Sequence, residues 1–145
     1  MCSAVAEAYV LGLGPLSVLG PVDSFNAAVH AFEEAVRSDP QFASAWAKLC
    51  RANSLIYFHY MDRSEARRTA AANALAEAVR LQPQLPETQL AKADFQYWVL
   101  FDYKGARVLL QQLHLSWPNN ADIVQDLGWD LARPGEGETT AGYLA

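Results

Sequence analysis

Several things are scarce in this chain of 145 residues. Its two cysteines, Cys2 and Cys50, are far apart and form neither a disulfide framework nor a metal-ligand spacing. That favours a reducing compartment, the cytoplasm, and makes Cys50, set in an apolar helical pattern, a small core residue. Cationic side chains are outnumbered: 11 Lys and Arg against 16 Asp and Glu give a formal net charge of -5. Nucleic acid is excluded as a partner, since its binding rests on cationic neutralisation of phosphates. His30, His59 and His114 are scattered, and HExxH, CxxC, GxSxG and glycine-rich phosphate loops are all missing. The expectation is therefore no enzyme, no metal and no cofactor; Gly12-x-Gly14 lacks the preceding strand of a dinucleotide turn. Only the first 22 residues form a long apolar run. It has no cationic n-region and is broken by Gly12, Gly14, Pro15, Gly20 and Pro21, which argues against a signal peptide or membrane insertion.

What is present is a 52% hydrophobic composition, enough for one domain with a buried core. Its periodicity lies near 3.6, with little two-residue alternation. The expectation is an all-α chain of about seven helices. The first spans Ala4 to about Leu19, bent near Gly14-Pro15. Asp23 caps a second, ending near Ser38 before Asp39-Pro40, and a third starts at Phe42 or Ala43. Asp62-Arg63-Ser64-Glu65 has the form of a capping box for a helix reaching about Leu81. Pro86 opens a helix to about Phe101, Asp102 caps one to about Ser116, and Asn120 caps one from Ala121 to about Ala132. Residues 1–132 read as a single domain. Residues 133–145 read as a flexible polar tail.

Three segments end alike: Ala28-x3-Phe32-x2-Ala35-x4-Pro40, Ala71-x3-Leu75-x2-Ala78-x4-Pro83 and Ala106-x3-Leu110-x2-Leu113-x4-Pro118. Intervals of four and three put these residues on one helical face, and the proline stops the helix. Helices in pairs with this ending resemble the tetratricopeptide repeat family, whose unit is about 34 residues. The family's first-helix pattern W-x2-L-G-x2-Y meets Trp46-x2-Leu49-Cys50, with Asn53 in the tyrosine place, and Val124-x2-Leu127-Gly128. It is poorer where Gln89 and Lys92 stand for tryptophan and leucine beside Ala93. Val10, Leu13 and Gly14 fit the opening unit. The resemblance covers about residues 8 to 132. The lengthened unit between Cys50 and Ala71, with Ile56-Tyr57-Phe58-His59-Tyr60-Met61, is similar to arrays in larger bacterial signalling proteins, such as adenylate-cyclase-like and transcription-regulator chains.

The resemblance implies a right-handed α-solenoid of antiparallel helix pairs, with first helices lining a concave groove. On that pattern the groove holds Lys48, Arg51, Ser54 and Leu55, then Leu90, Asp94, Tyr97 and Trp98, then Gln125 and Trp129. Lys48 and Arg51 are expected as solvated charges, and the aromatics either as partner anchors or as packing between helix pairs. The family's lysine-asparagine clamp for acidic C-termini is lacking, since its places hold Leu11 and Pro15, Ala47 and Arg51, Leu90 and Asp94. The leading expectation is a module that binds a peptide or protein segment, as part of a larger regulatory assembly or chain. A small-molecule-sensing regulatory domain and a self-associating structural domain are the alternatives. In the last of these a homodimer, or the tail Tyr143-Leu144, covers a C-terminal edge of Ile123, Val124, Leu127 and Leu131. A start inside a repeat and a fourth unit without its second helix are expected of a piece of a longer protein or of a short family member.

Overall fold

The computed structural model describes residues 22–59 and 62–132, and every regular element among them is a helix. These are α1 (Val22–Ser38), α2 (Ala43–Phe58), α3 (Glu65–Leu81), α4 (Pro86–Trp98), α5 (Tyr103–Ser116) and α6 (Ala121–Leu131). The helix expected over Ala4 to Leu19, Tyr60, Met61 and the tail from residue 133 lie outside the described residues. Each helix packs on the next in sequence, and α2 also packs on α4.

The three proline-terminated segments share the same local structure. Their motif residues face inward: Ala28, Phe32, Ala35, Ala71, Ala78, Ala106, Leu110 and Leu113 are all buried, and Leu75 is half-buried. After each segment the chain turns in the same way. The amides of Asp39, Gln82 and Trp117 donate to the carbonyls of Ala35, Ala78 and Leu113, and those of Phe42, Leu85 and Asn120 donate to the carbonyls of Asp39, Gln82 and Trp117. One further bond puts Gln89 in the role that Trp46 has at the earlier junction. Trp46 Nε1 donates to the Pro40 carbonyl at 2.9 Å, and Gln89 Nε2 donates to the Pro83 carbonyl six residues before it in the same way. A side-chain donor at this place staples the helix to its junction, and an amide serves as well as an indole.

Helix ends follow the expected chemistry with three differences. Asn120 accepts from the amides of Asp122 and Ile123, Asp102 accepts from Gly105, and Pro86 stands at the start of α4. Gly105 suits that cap, because a Cβ there would collide with the Asp102 carboxylate. In α3, however, the N-cap is Ser64, whose hydroxyl accepts from the Arg67 amide; Asp62 instead accepts from the Ser64 amide in the turn before it. Helix α4 ends at Trp98 rather than Phe101, since Phe101 takes a left-handed φ of 56° and Leu100 and Asp102 donate back to Phe95 and Gln96. Helix α1 begins at Val22, ahead of its expected cap Asp23.

The core has two parts. The larger joins α1, α2 and α3 around Phe32, Cys50, Ile56 and Ala78, and reaches Trp98. The smaller joins α4, α5 and α6 through Leu90, Ala93, Leu110, Leu113, Ile123 and Leu127. The apolar edge expected on α6 is therefore mostly covered: Ile123 and Leu127 are buried and Leu131 is partly so, leaving Val124 47% exposed.

Candidate functional site

Helices α2, α4 and α6 meet on one side of the molecule, and their facing residues divide into a charged layer and an aromatic one. The charged layer corrects the expectation that Lys48 and Arg51 are solvated: they are 6% and 5% exposed. Arg51 is ringed by carboxylates. Its Nη2 donates to both oxygens of Asp126 at 2.8 and 3.0 Å, its Nη1 lies 3.5 Å from Asp122, and its Nε lies 3.1 Å from Asp94. Lys48 Nζ donates to Asp122 at 3.1 Å. Asp122 and Asp126 are four residues apart and share one face of α6, which turns toward α2. Asp130 continues that face inward to Arg107 of α5, 2.5 Å away.

Burial at this level has electrostatic consequences. Three carboxylates stand against two cations, and each buried charge loses hydration that only a partner offsets. Burial and then the Asp126 charge push the Asp94 carboxyl well above its ordinary value, against the pull of Arg51. Burial also raises Asp126, with Arg51 opposing. The two carboxyls are close enough to act on one another, and the Asp126 charge adds to burial in raising Asp94. Asp122 is half-buried, and Lys48 and Arg51 overcome its burial and hold it low. Burial works against the charge on Arg51, but Asp94, Asp126 and Asp122 outweigh it and raise its pKa. The Nε contact with Asp94 Oδ2 is an ion pair without hydrogen-bond alignment, so both atoms lack a hydrogen-bond partner.

The aromatic layer lies beside this network. A cavity of about 360 Å³ is lined by Leu55, Phe58 and His59 from the end of α2, by Tyr97 and Trp98 from α4, and by Trp129 from α6. Phe58 meets Tyr97 at 5.9 Å between ring centres, and Trp98 meets Trp129 at 6.5 Å. Arg51 lies against Trp98, its Cζ 5.8 Å from the ring centre, and so touches both layers. A second chamber of about 10 Å³, bounded by Asp94, Asp126 and Leu110, shares Tyr97, Trp98 and Trp129 with the outer cavity. It has room for roughly one water.

The ten residues expected on a groove thus separate. Leu55, Tyr97, Trp98 and Trp129 line the cavity; Lys48, Arg51 and Asp94 form the buried network. Ser54 is buried and donates to the Cys50 carbonyl, Leu90 belongs to the smaller core, and Gln125 is exposed. Asp122, Asp126 and Asp130 were not expected, although acidic residues at i, i+4 and i+8 on a largely apolar helix are a readable signal of one shared face. Phe58 and His59 enter from the aromatic stretch that ends α2. Among the described residues no group of three or more His, Cys, Asp or Glu is arranged to hold a metal ion, and no helix is long and apolar enough to cross a membrane. No protein-family model matches the chain, and no curated protein matches it at a significant level.

Proposed function

We propose that this chain is a tetratricopeptide-like module, a right-handed solenoid of helix pairs, that binds a segment of a partner protein on the face formed by α2, α4 and α6, and that it is not an enzyme. The carrying observation is the cavity of about 360 Å³, built by three successive first helices and walled by Phe58, Tyr97, Trp98 and Trp129. Such concave aromatic pockets are where large side chains of a partner anchor and lose water. The equivalent junctions after Pro40, Pro83 and Pro118 support the repeat architecture. The buried network beneath supports a rigid face, because Arg51 ties α2 to both α4 and α6 and so fixes the rings above it.

Selection from a random peptide display library tests the reading. Enriched segments should lose at least tenfold in retention on Trp129→Ala, while Val108→Asp on the exposed side of α5 leaves them unchanged. Circular dichroism checks that both variants fold. Segments held equally by the Trp129 variant, or failure of any segment to enrich, would overturn it.

A further inference from the structure

Ala132 lines the aromatic cavity together with Trp129, three positions before it, so the chain from residue 133 onward continues from the cavity wall. In residues 133–145 the large apolar side chains are Tyr143 and Leu144; the others are Arg133, Pro134, glycine, alanine, threonine and glutamate. A ring and an isobutyl group side by side leave water only in a concave apolar seat. The C-terminal edge of α6 offers little of one, since Ile123 and Leu127 are already buried and Val124 is the large apolar residue of that helix left exposed. The cavity does offer one. At about 360 Å³ it falls in the range of about 300–1,000 Å³ that seats a small ligand.

The electrostatics suit an uncharged occupant. Arg51, the cation against Trp98, is already paired with Asp94, Asp122 and Asp126, and burial raises Asp94 and Asp126 toward their neutral forms. His59, in the cavity wall, is held below its ordinary value by burial and is neutral at pH 7.

Tethering decides between this pair and an apolar group from elsewhere. Residues 133–142 form the closing loop; Pro134, Gly135, Gly137 and Gly142 are residue types of chain reversal, and Glu136, Glu138, Thr139 and Thr140 suit its solvent side. A short connection gives an effective concentration of about 1 mM, so a pair that binds with an intrinsic Kd of only about 0.1 mM would fill the cavity about ten to one. Residues 1–21 enter near the same rim, where the rings of Phe25 and His59 lie 6.2 Å apart, but their Val10, Leu13 and Gly14 match the opening helix of the repeat pattern instead. We propose that Tyr143 and Leu144 fold back into the aromatic cavity, so that the chain holds its own site and a partner segment has to displace them. The occupancy goes beyond the partner-binding reading; the displacement rests on it.

Paramagnetic broadening of the tryptophan indole N–H signals tests this on the full chain. A nitroxide is attached through Ala141→Cys in a Cys2→Ser background, where the buried Cys50 thiol does not compete. Trp98 and Trp129 should broaden at least threefold more than Trp46, which bonds to Pro40 at the other end of α2, about 18 Å along the helix from Phe58. Tyr143→Ser and Leu144→Ser together should cut that excess at least threefold, with circular dichroism verifying the fold. An excess unchanged in the double serine variant, or equal broadening of all three signals, would overturn the occupancy. Broadening in an unlabelled copy mixed with the nitroxide-bearing chain would place the pair in a second molecule and overturn it too. So would Trp98 and Trp129 shifts that answer to Tyr9→Ser and not to the double serine variant, since the cavity would then belong to residues 1–21. For the displacement, segments that need Trp129 should be retained at least threefold better by the double serine variant, whose cavity is free; equal retention would overturn it. The two readings fail separately. Enriched segments with no excess broadening would sink the occupancy alone, and excess broadening with no segment enriched would sink the partner-binding reading.

Discussion

Replacing Arg51 by methionine is the sharpest probe of the charged layer. The change keeps much of the stem volume but removes the one group that contacts Asp94, Asp122 and Asp126 together. Asp94 and Asp126, both 5% exposed or less, would be left buried without a guanidinium. Removing one partner of a buried ion pair costs about 3–5 kcal/mol, against a total stability of about 5–15 kcal/mol for a domain. For a chain of this size that is a fall in Tm of roughly 10–20 °C. Urea titration followed by circular dichroism at pH 7 measures the loss. It should shrink at pH 5, where the stranded carboxyls take up protons and no longer carry charge. The triple change Arg51→Met, Asp94→Leu, Asp126→Leu should restore stability to within about 1 kcal/mol of the parent, since a buried network exchanges well for apolar packing. A single-variant loss below about 1 kcal/mol, or a triple variant no better than the single, would refute the idea that burial makes this guanidinium indispensable.

Two other outcomes follow from the same buried groups. Asp94 keeps its proton to higher pH in the folded protein than in the unfolded chain, where its ordinary value is 3.8, and Asp126 shifts the same way. The folded state then binds more protons from about pH 4 upward, so stability falls as pH rises through the raised value. Asp94→Asn should flatten that fall in urea midpoints measured between pH 4.5 and pH 8, by roughly the one proton removed; an unchanged slope would show that Asp94 is not its source. Burial also pushes the Cys50 thiol up to about 12, which leaves almost no thiolate at pH 8. Iodoacetamide should therefore modify the Cys50 peptide, followed by mass spectrometry, only after urea unfolds the chain. Labelling of native protein within minutes would contradict this.

The helices were legible because their signals are local. The spacing of Ala28, Phe32 and Ala35, the prolines at 40, 83 and 118, and the caps at Asp102 and Asn120 all act within a turn or two of the chain. Errors arose where two local signals competed. Asp62 and Ser64 both suit a cap, and Ser64 takes it while Asp62 orders the turn. The α4 pattern continues to Phe101, yet the backbone turns left-handed there and the aromatic joins Tyr57, Phe58 and Tyr103 instead. The departures from the repeat pattern were harder to judge by identity than by role, as Gln89 shows by making the bond that Trp46 makes.

The sequence by itself determined an all-helical chain, the faces its helices bury and the points where they stop, because periodicity and capping are settled by neighbours three and four residues away. Only the tertiary structure decided the state of its charges. Lys48 and Arg51 read as surface residues along the chain, and they are buried because Asp122 and Asp126, about 75 positions on, fold back over α2. Whether an ionised side chain is solvated or trapped depends on which distant groups surround it, and hydration lost to those groups must be offset by the same groups. The aromatic cavity has the same origin. Phe58, Trp98 and Trp129 lie on three separate helices, and the packing of α2, α4 and α6 is what turns their rings toward a common space.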